Sequence, residues 1–198
     1  MRPTLVLIAC LSLVAISHAA HADTVNSFTE TTDTDGTLNG IPFNTIVTIT
    51  GSYDVSSITS PFSGLYEAPT TLTYAITGVG TYTSTTTDDL FDNQNVGLVG
   101  VSDSYDGDML DTGSSLYNSY NLSGTIGPVV GTTDVTSDAD HTTGGTLILH
   151  TAFPDGPTTF TVTSATTTSV TPEPSSLALL GTGVLGILGA ARKRLSKS

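Results

Sequence analysis

Apolar and polar residues alternate with a period of two along much of the chain between residues 23 and 164. In one stretch Val47, Ile49 and Tyr53 fall on one face, and threonine and serine residues lie between them. Because a β-strand points successive side chains to opposite sides, this alternation predicts strands with one buried face. The same pattern recurs over residues 72–77, 116–126, 147–153 and 160–163.

Turn signals separate these stretches. Dipeptides that favour tight turns occur at Asp35-Gly36, Asn39-Gly40, Asp106-Gly107, Gly144-Gly145 and Asp155-Gly156. Gly78-Val79-Gly80 predicts a bulge or bend, and the acidic segments 85–95 and 101–115 predict long loops. One-faced strands joined by short turns favour antiparallel pairing. We therefore predict an all-β domain over residues 23–164, an antiparallel β-sandwich or an irregular barrel, with Ile49 and Leu149 buried.

Threonine is abundant in this region, and its branched side chain favours strands. Thr81, Thr83, Thr85 and Thr87 would line one side of a regular strand, and Thr161 and Thr163 form another pair. A flat threonine array can order water, as ice-binding surfaces do. The chain lacks the exact repeat that such an array needs, so solubility and strand propensity are the simpler interpretation.

Charge is distributed unevenly. The chain has 5 basic and 18 acidic residues, for a net charge of −13. Every acid lies between Asp23 and Glu173, and every lysine and arginine lies in the terminal segments. The central region should therefore repel nucleic acid and anionic lipid, which argues against a nucleic-acid partner.

The first 22 residues have the pattern of a secretory signal peptide. Arg2 precedes an apolar run from Leu5 to Ile16, and Ala20-His21-Ala22 supplies small residues for cleavage. The mature chain is then expected to start near Asp23. Cys10 is the only cysteine, so the mature chain would contain neither a disulfide nor a thiolate site.

The C-terminal tail has three parts in a fixed order. Pro172-Glu173-Pro174 comes first, an uncharged segment of about residues 175–191 follows, and residues 192–198 begin with Arg192-Lys193-Arg194. As a helix the middle segment would rise about 25 Å, slightly less than a hydrocarbon core, and flanking basic side chains can make up the difference. We predict a single transmembrane helix whose basic end stays in the cytoplasm.

These residues resemble the PEP-CTERM sorting signal of Gram-negative bacteria over residues 172–198. Some collections also label this tail family as an ice-binding protein C-terminal domain. The resemblance implies export across the inner membrane, processing by exosortase, a membrane cysteine protease that cuts near Pro172-Glu173-Pro174, and delivery to the cell surface or medium. Residues 165–171 would form a threonine-rich stalk before the tail.

Candidate chemistry in the central region is sparse. The acidic side chains around Gly107 are hard oxygen ligands on a predicted turn, although their spacing differs from that of an EF-hand loop. These weak candidates for loosely bound calcium are Asp103, Asp106, Asp108 and Asp111. The sequence contains neither a Gly-x-Ser-x-Gly nor a His-Glu-x-x-His motif.

Two functions remain open at this stage. The first is a non-enzymatic surface or matrix protein that associates with exopolysaccharide. The second is a secreted carbohydrate-binding or carbohydrate-active domain, for which paired carboxylates would be needed if it cleaved sugars.

Overall fold

The structure is a computed structural model that describes residues 24–103, 107–134, 139–150 and 157–166. These residues form twelve strands, all paired antiparallel, and two short 3-10 helices. The strands are β1 (Thr24–Leu38), β2 (Ile41–Asp54), β3 (Leu65–Thr70), β4 (Thr73–Ile76), β5 (Gly80–Thr83), β6 (Asp88–Asn93), β7 (Leu98–Asp103), β8 (Gly107–Gly113), β9 (Ile126–Asp134), β10 (Ala139–Thr142), β11 (Gly145–His150) and β12 (Thr158–Thr166). The helices are η1 (Val55–Ser57) and η2 (Ser115–Ser119).

The strands form one continuous sheet that curls into a half-barrel. Its order is β3-β6-β7-β8-β9-β12-β1-β2-β4-β5, and β11 pairs with both β1 and β10. The half-barrel has two walls, one formed by β3-β6-β7-β8 and the other by β12-β1-β2-β4-β5. Strand β9 joins them, because residues 126–131 pair with β12 and residues 132–134 pair with β8. Gly131 lies where the partner changes, and a Cβ there would collide with the carbonyl oxygen of Gly113.

The inward faces of both walls meet in a single hydrophobic core. Phe160 of β12 is at its centre, stacked on Phe28 with ring centroids 6.2 Å apart. Tyr117 of η2 packs edge-on against the same ring at 6.0 Å. Such aromatic pairs add stabilisation beyond the area that they bury.

The all-β prediction is confirmed in its main features. Ile49 and Leu149 are fully buried, and Tyr53 and Tyr74 also lie in the core. Asn39-Gly40 turns β1 into β2 with positive φ angles of 50° and 78°. That conformation suits glycine and asparagine, which explains why this dipeptide was a reliable signal.

The two acidic segments were wrongly predicted as loops. Residues 85–95 contain β6, and residues 101–115 contain the end of β7 and all of β8. In β6 Asp88, Leu90 and Asp92 all face the interior without solvent exposure. Side chains in β6 therefore do alternate between two faces, as in any strand, but the buried face carries carboxyl groups, which are seldom found there.

Two smaller predictions were also wrong, and a third was right in part. Residues 116–126 were expected to form a strand, but η2 and an irregular segment precede β9, and Leu116 is 58% exposed. Asp35-Gly36 lies inside β1 rather than in a turn. Gly78 belongs to the turn between β4 and β5, not to a bulge within a strand.

The predicted signal peptide, transmembrane segment and sorting tail lie outside the described residues. Within the described part, no helix is long and apolar enough to cross a membrane.

Candidate functional site

The calcium candidates are divided between the two faces of the sheet. Asp103 ends β7 opposite Asp88 of β6 and is buried on the inner side. Asp111 of β8 is paired with Gly100, and its carboxylate lies over that glycine on the outer side. These two side chains therefore lie on opposite faces of the sheet, and the calcium site stays a prediction. Asp106 and the side chain of Asp108 lie outside the described residues.

A buried acidic network does occur, but elsewhere. Thr86 Oγ1 lies 3.1 Å from Asp88 Oδ1 and 3.4 Å from Asp140 Oδ1, and Ser84 donates to the same Asp140 oxygen at 3.1 Å. Burial, with the nearby Asp140 carboxylate as a smaller cause, raises the pKa of Asp88 to about 6. Both aspartates are fully buried, whereas Thr86 is only half-buried.

Two further acids, Glu30 and Asp92, are also buried in the interior and have raised pKa values. Thr112 Oγ1 donates to Glu30, and burial raises the pKa of that carboxyl well above its usual value. Asp92 has no hydrogen-bond partner for either oxygen among the described residues, and burial raises its pKa to about 8. Because a buried carboxylate without a counter-charge is costly, Asp92 is expected to be largely protonated at neutral pH. No group of three or more His, Cys, Asp or Glu in the described part is arranged to bind a metal ion.

The outer face of the wall formed by β12-β1-β2-β4-β5 carries rows of hydroxyl-bearing side chains. Five threonines from five adjacent strands occupy directly paired positions and form one row across the sheet. A second row runs beside it, with one alanine among four threonines. The first row is Thr161, Thr29, Thr50, Thr73 and Thr83, and the second is Thr159, Thr31, Thr48, Ala75 and Thr81.

We call these ten positions the threonine face. Each is exposed or half-buried, and none carries a charge, although the chain has 18 acids. Paired strands lie about 4.8 Å apart, so the hydroxyl and methyl groups recur at that interval across the sheet. Thr31 Oγ1 and Thr48 Oγ1 are 3.3 Å apart, close enough for a hydrogen bond.

A shallow depression of about 390 Å³ lies on this face. It is lined almost wholly by hydroxyl side chains. Those hydroxyl-bearing residues are Ser27, Thr29, Thr50, Ser52, Thr71 and Thr73. Such a surface can donate and accept hydrogen bonds to a neutral, hydroxyl-rich ligand.

Sequence analysis found only part of the threonine face. Thr81, Thr83 and Thr161 were singled out, whereas Thr85 and Thr87 lie beyond the end of β5. Thr29, Thr50 and Thr73 are far apart in sequence, and only the strand order places them together. The useful signal was alternation itself, because the residues between Val47, Ile49 and Tyr53 form the polar face.

The comparisons with known proteins concern the tail. A model of the PEP-CTERM protein-sorting motif matches residues 170–194. The chain carries a PEP-CTERM sorting motif. This motif supports export of the protein and its processing by exosortase at the membrane, for the cell surface or the medium. No curated protein and no solved structure matches the chain.

Proposed function

We propose that the protein is a non-enzymatic component of the cell surface or extracellular matrix of a Gram-negative bacterium, and that it associates with exopolysaccharide after exosortase has processed its tail. The threonine face is the observation that carries this proposal. It offers neutral hydroxyl groups for hydrogen bonds to sugars and methyl groups for contact with their C–H surfaces. Because each contact is weak, affinity would come from repeated engagement along the polymer.

Charge supports this choice of surface. Acidic residues elsewhere would repel an anionic polysaccharide, whereas the threonine face has no charged side chain. Ice is a poorer candidate than a polymer, because a curled, twisted sheet does not present a flat lattice.

Binding also fits the geometry better than hydrolysis. Glycoside hydrolysis needs two carboxyl groups that face a common substrate. Asp88 and Asp92, whose pKa values are raised by burial, are both fully buried, and so is Asp140. The described depression on the threonine face is lined by hydroxyl groups rather than carboxylates.

Sedimentation with purified exopolysaccharide of the producing bacterium tests the proposal. The variant Thr29→Asp/Thr50→Asp/Thr73→Asp, which charges the centre of the face, is expected to lose most of the co-sedimentation. The matched control Thr87→Asp/Thr125→Asp/Thr132→Asp adds the same charge at exposed positions elsewhere and is expected to bind as the original does. Equal loss in both variants would reject the face as the binding surface.

The sorting step has its own test. Changing Pro172-Glu173-Pro174 to three alanines is expected to keep the protein in the membrane fraction and to prevent its release. If release is unchanged, the tail acts only as an anchor and the sorting part of the proposal is wrong.

A further inference from the structure

Both chain ends of the domain lie at the same end of the half-barrel. Thr24, the first residue of β1, is paired with Thr166, the last residue of β12. Asp54 at the end of β2 lies opposite Val25, so the segment that follows β2 begins at this end as well. The side chains of Asn26 and Tyr53 also reach the carbonyl oxygen of Leu122.

Three loops cover this region and are joined by hydrogen bonds. Asn95 Nδ2 donates to the Ser63 carbonyl oxygen at 2.9 Å, and Gln94 N donates to Gly64 at 2.8 Å. Ser114 N donates to the Gly97 carbonyl oxygen at 2.9 Å. Segments 55–64, 94–97 and 114–125 therefore form one surface, which we call the exit end.

Each loop of the exit end presents a large apolar side chain to solvent. Phe62 is 58% exposed, Val96 is 63% exposed and Leu116 is 58% exposed. Each of them lies within two residues of an inter-loop hydrogen bond, so the three belong to the same surface. Grouped exposed apolar residues mark interaction surfaces more often than scattered ones do.

The exit end is also free of charge. Segments 55–64, 94–97 and 114–125 contain no Asp, Glu, Lys, Arg or His. Ile46, by contrast, lies opposite Asp33 in the β1–β2 ladder, whereas Ile41 and Val79 also lie in uncharged segments. What distinguishes the exit end is that its apolar tips lie where the chain leaves the domain towards the tail.

We infer that the exit end rests on the lipid bilayer in which the tail is anchored before release. The inference depends on the membrane anchoring in the proposed function. Residues 167–174 separate β12 from the apolar tail segment and span at most about 30 Å when extended, so the domain cannot move far from the bilayer. Tethering makes even weak partitioning of three side chains effective, because it raises their local concentration at the surface.

The point of attachment sets the orientation of the domain. Because the chain leaves the domain for the tail at the exit end, this end meets the headgroups before the rest of the domain does. The three loops of the exit end contain no carboxylate that anionic headgroups would repel. Phe62, Val96 and Leu116 would then enter the interface, and the threonine face would stand roughly upright from the membrane.

Fluorescence quenching in vesicles tests this arrangement. The mature chain has no cysteine once residues 1–22 are removed, so single labelling sites can be introduced cleanly. Residues 23–198 are reconstituted in phosphatidylcholine vesicles that contain a spin-labelled lipid, and an environment-sensitive dye is attached at Phe62→Cys or Val96→Cys. Matched control dyes are attached at Ile41→Cys or Val79→Cys, which replace apolar residues exposed outside the three loops of the exit end.

We expect severalfold stronger lipid quenching at positions 62 and 96 than at positions 41 and 79. A third dye at Ser119→Cys reports on the loops without replacing an apolar tip. Its quenching is expected to fall when Phe62→Asp and Val96→Asp are added, and to persist when Ile41→Asp and Val79→Asp are added instead.

Each outcome separates this inference from the proposed function. Chains that float with the vesicles but show equal quenching at all positions would overturn the docking and leave the anchoring intact. Chains that do not float would overturn the anchoring itself. If the dye at position 62 is shielded from water only in membranes that also contain exosortase, the partner is a protein and docking on lipid is overturned.

Discussion

At the scale of single residues, the domain is unusual in the groups that it buries. Glu30, Asp88, Asp92 and Asp140 face the interior without exposure, and no lysine or arginine occurs between residues 24 and 166. Hydroxyl groups of Ser84, Thr86 and Thr112 satisfy some of their oxygens. Both oxygens of Asp92 lack a hydrogen-bond partner among the described residues, so protonation is the remaining way for this group to avoid the cost of a buried charge.

Asp92 provides the clearest test. Its pKa is raised to about 8 in the folded state, against about 3.9 in the unfolded chain. Its stabilising contribution is therefore complete below about pH 4 and is lost as the pH rises towards about 8. Asp92→Asn removes this titration, so the urea midpoint should fall less between about pH 5 and about pH 9 than in the original.

The exposed Asp33→Asn is the control and should keep the full decline. Some decline should remain in Asp92→Asn, because Asp88 and Glu30 also have raised pKa values. An unchanged decline in Asp92→Asn would show that Asp92 is not protonated in the folded state.

Core packing can be tested on a single strand. Ile49→Ala removes a fully buried side chain of β2 and is expected to lower the free energy of unfolding by about 2–5 kcal/mol. Ile46→Ala, on the opposite face and 47% exposed, should cost less than about 0.5 kcal/mol. Similar losses in the two variants, measured by urea unfolding, would contradict the assignment of faces.

At the scale of elements, sequence analysis succeeded where a strand has apolar residues on its buried face and polar residues on its exposed face. Over residues 47–53 of β2 the inward positions are apolar and the outward ones are hydroxyl-bearing, so the strand and its faces were both predictable. In β6 the inward positions are Asp88, Leu90 and Asp92, and composition predicted a loop. Only tertiary context, which supplies hydroxyl partners or permits protonation, allows such a strand.

The candidate surfaces were harder to predict than the strands. The threonine face depends on the order β12-β1-β2-β4-β5, which is a long-range property of the fold. The exit end depends on three loops that are distant in sequence. The sorting tail needs no tertiary structure to be recognised, because Pro172-Glu173-Pro174 and the basic cluster are contiguous.

Close contact between β7 and β8 supplies an element-scale prediction. A Cβ on Gly100 would collide with the carbonyl oxygen of Leu110 and approach the backbone of Asp111. Gly100→Ala should therefore destabilise the domain by about 1–3 kcal/mol, as overpacking usually does. Gly124→Ala, where no atom lies within 4 Å, is the matched control and should change thermal stability little.

At the scale of the whole molecule, charge is the dominant feature. Because no lysine or arginine lies between residues 24 and 166, the acids repel one another across the domain, and salt screens that repulsion. The melting temperature should therefore rise when sodium chloride is increased from about 10 mM to about 0.5 M. The rise should shrink in Asp33→Asn/Asp89→Asn, and its absence in the original would mean that protonation or bound cations already neutralise the domain.

The pairing of Thr24 with Thr166 has a consequence for the timing of folding during translocation. Strand β1 emerges first from the export channel and β2 follows it, yet the other partners of β1, strands β11 and β12, emerge last. The sheet therefore cannot close until the sorting tail is about to enter the membrane, so completion of the fold coincides with presentation of the tail. A chain truncated before Thr158 should consequently remain sensitive to protease, whereas one that continues through Thr166 should resist it.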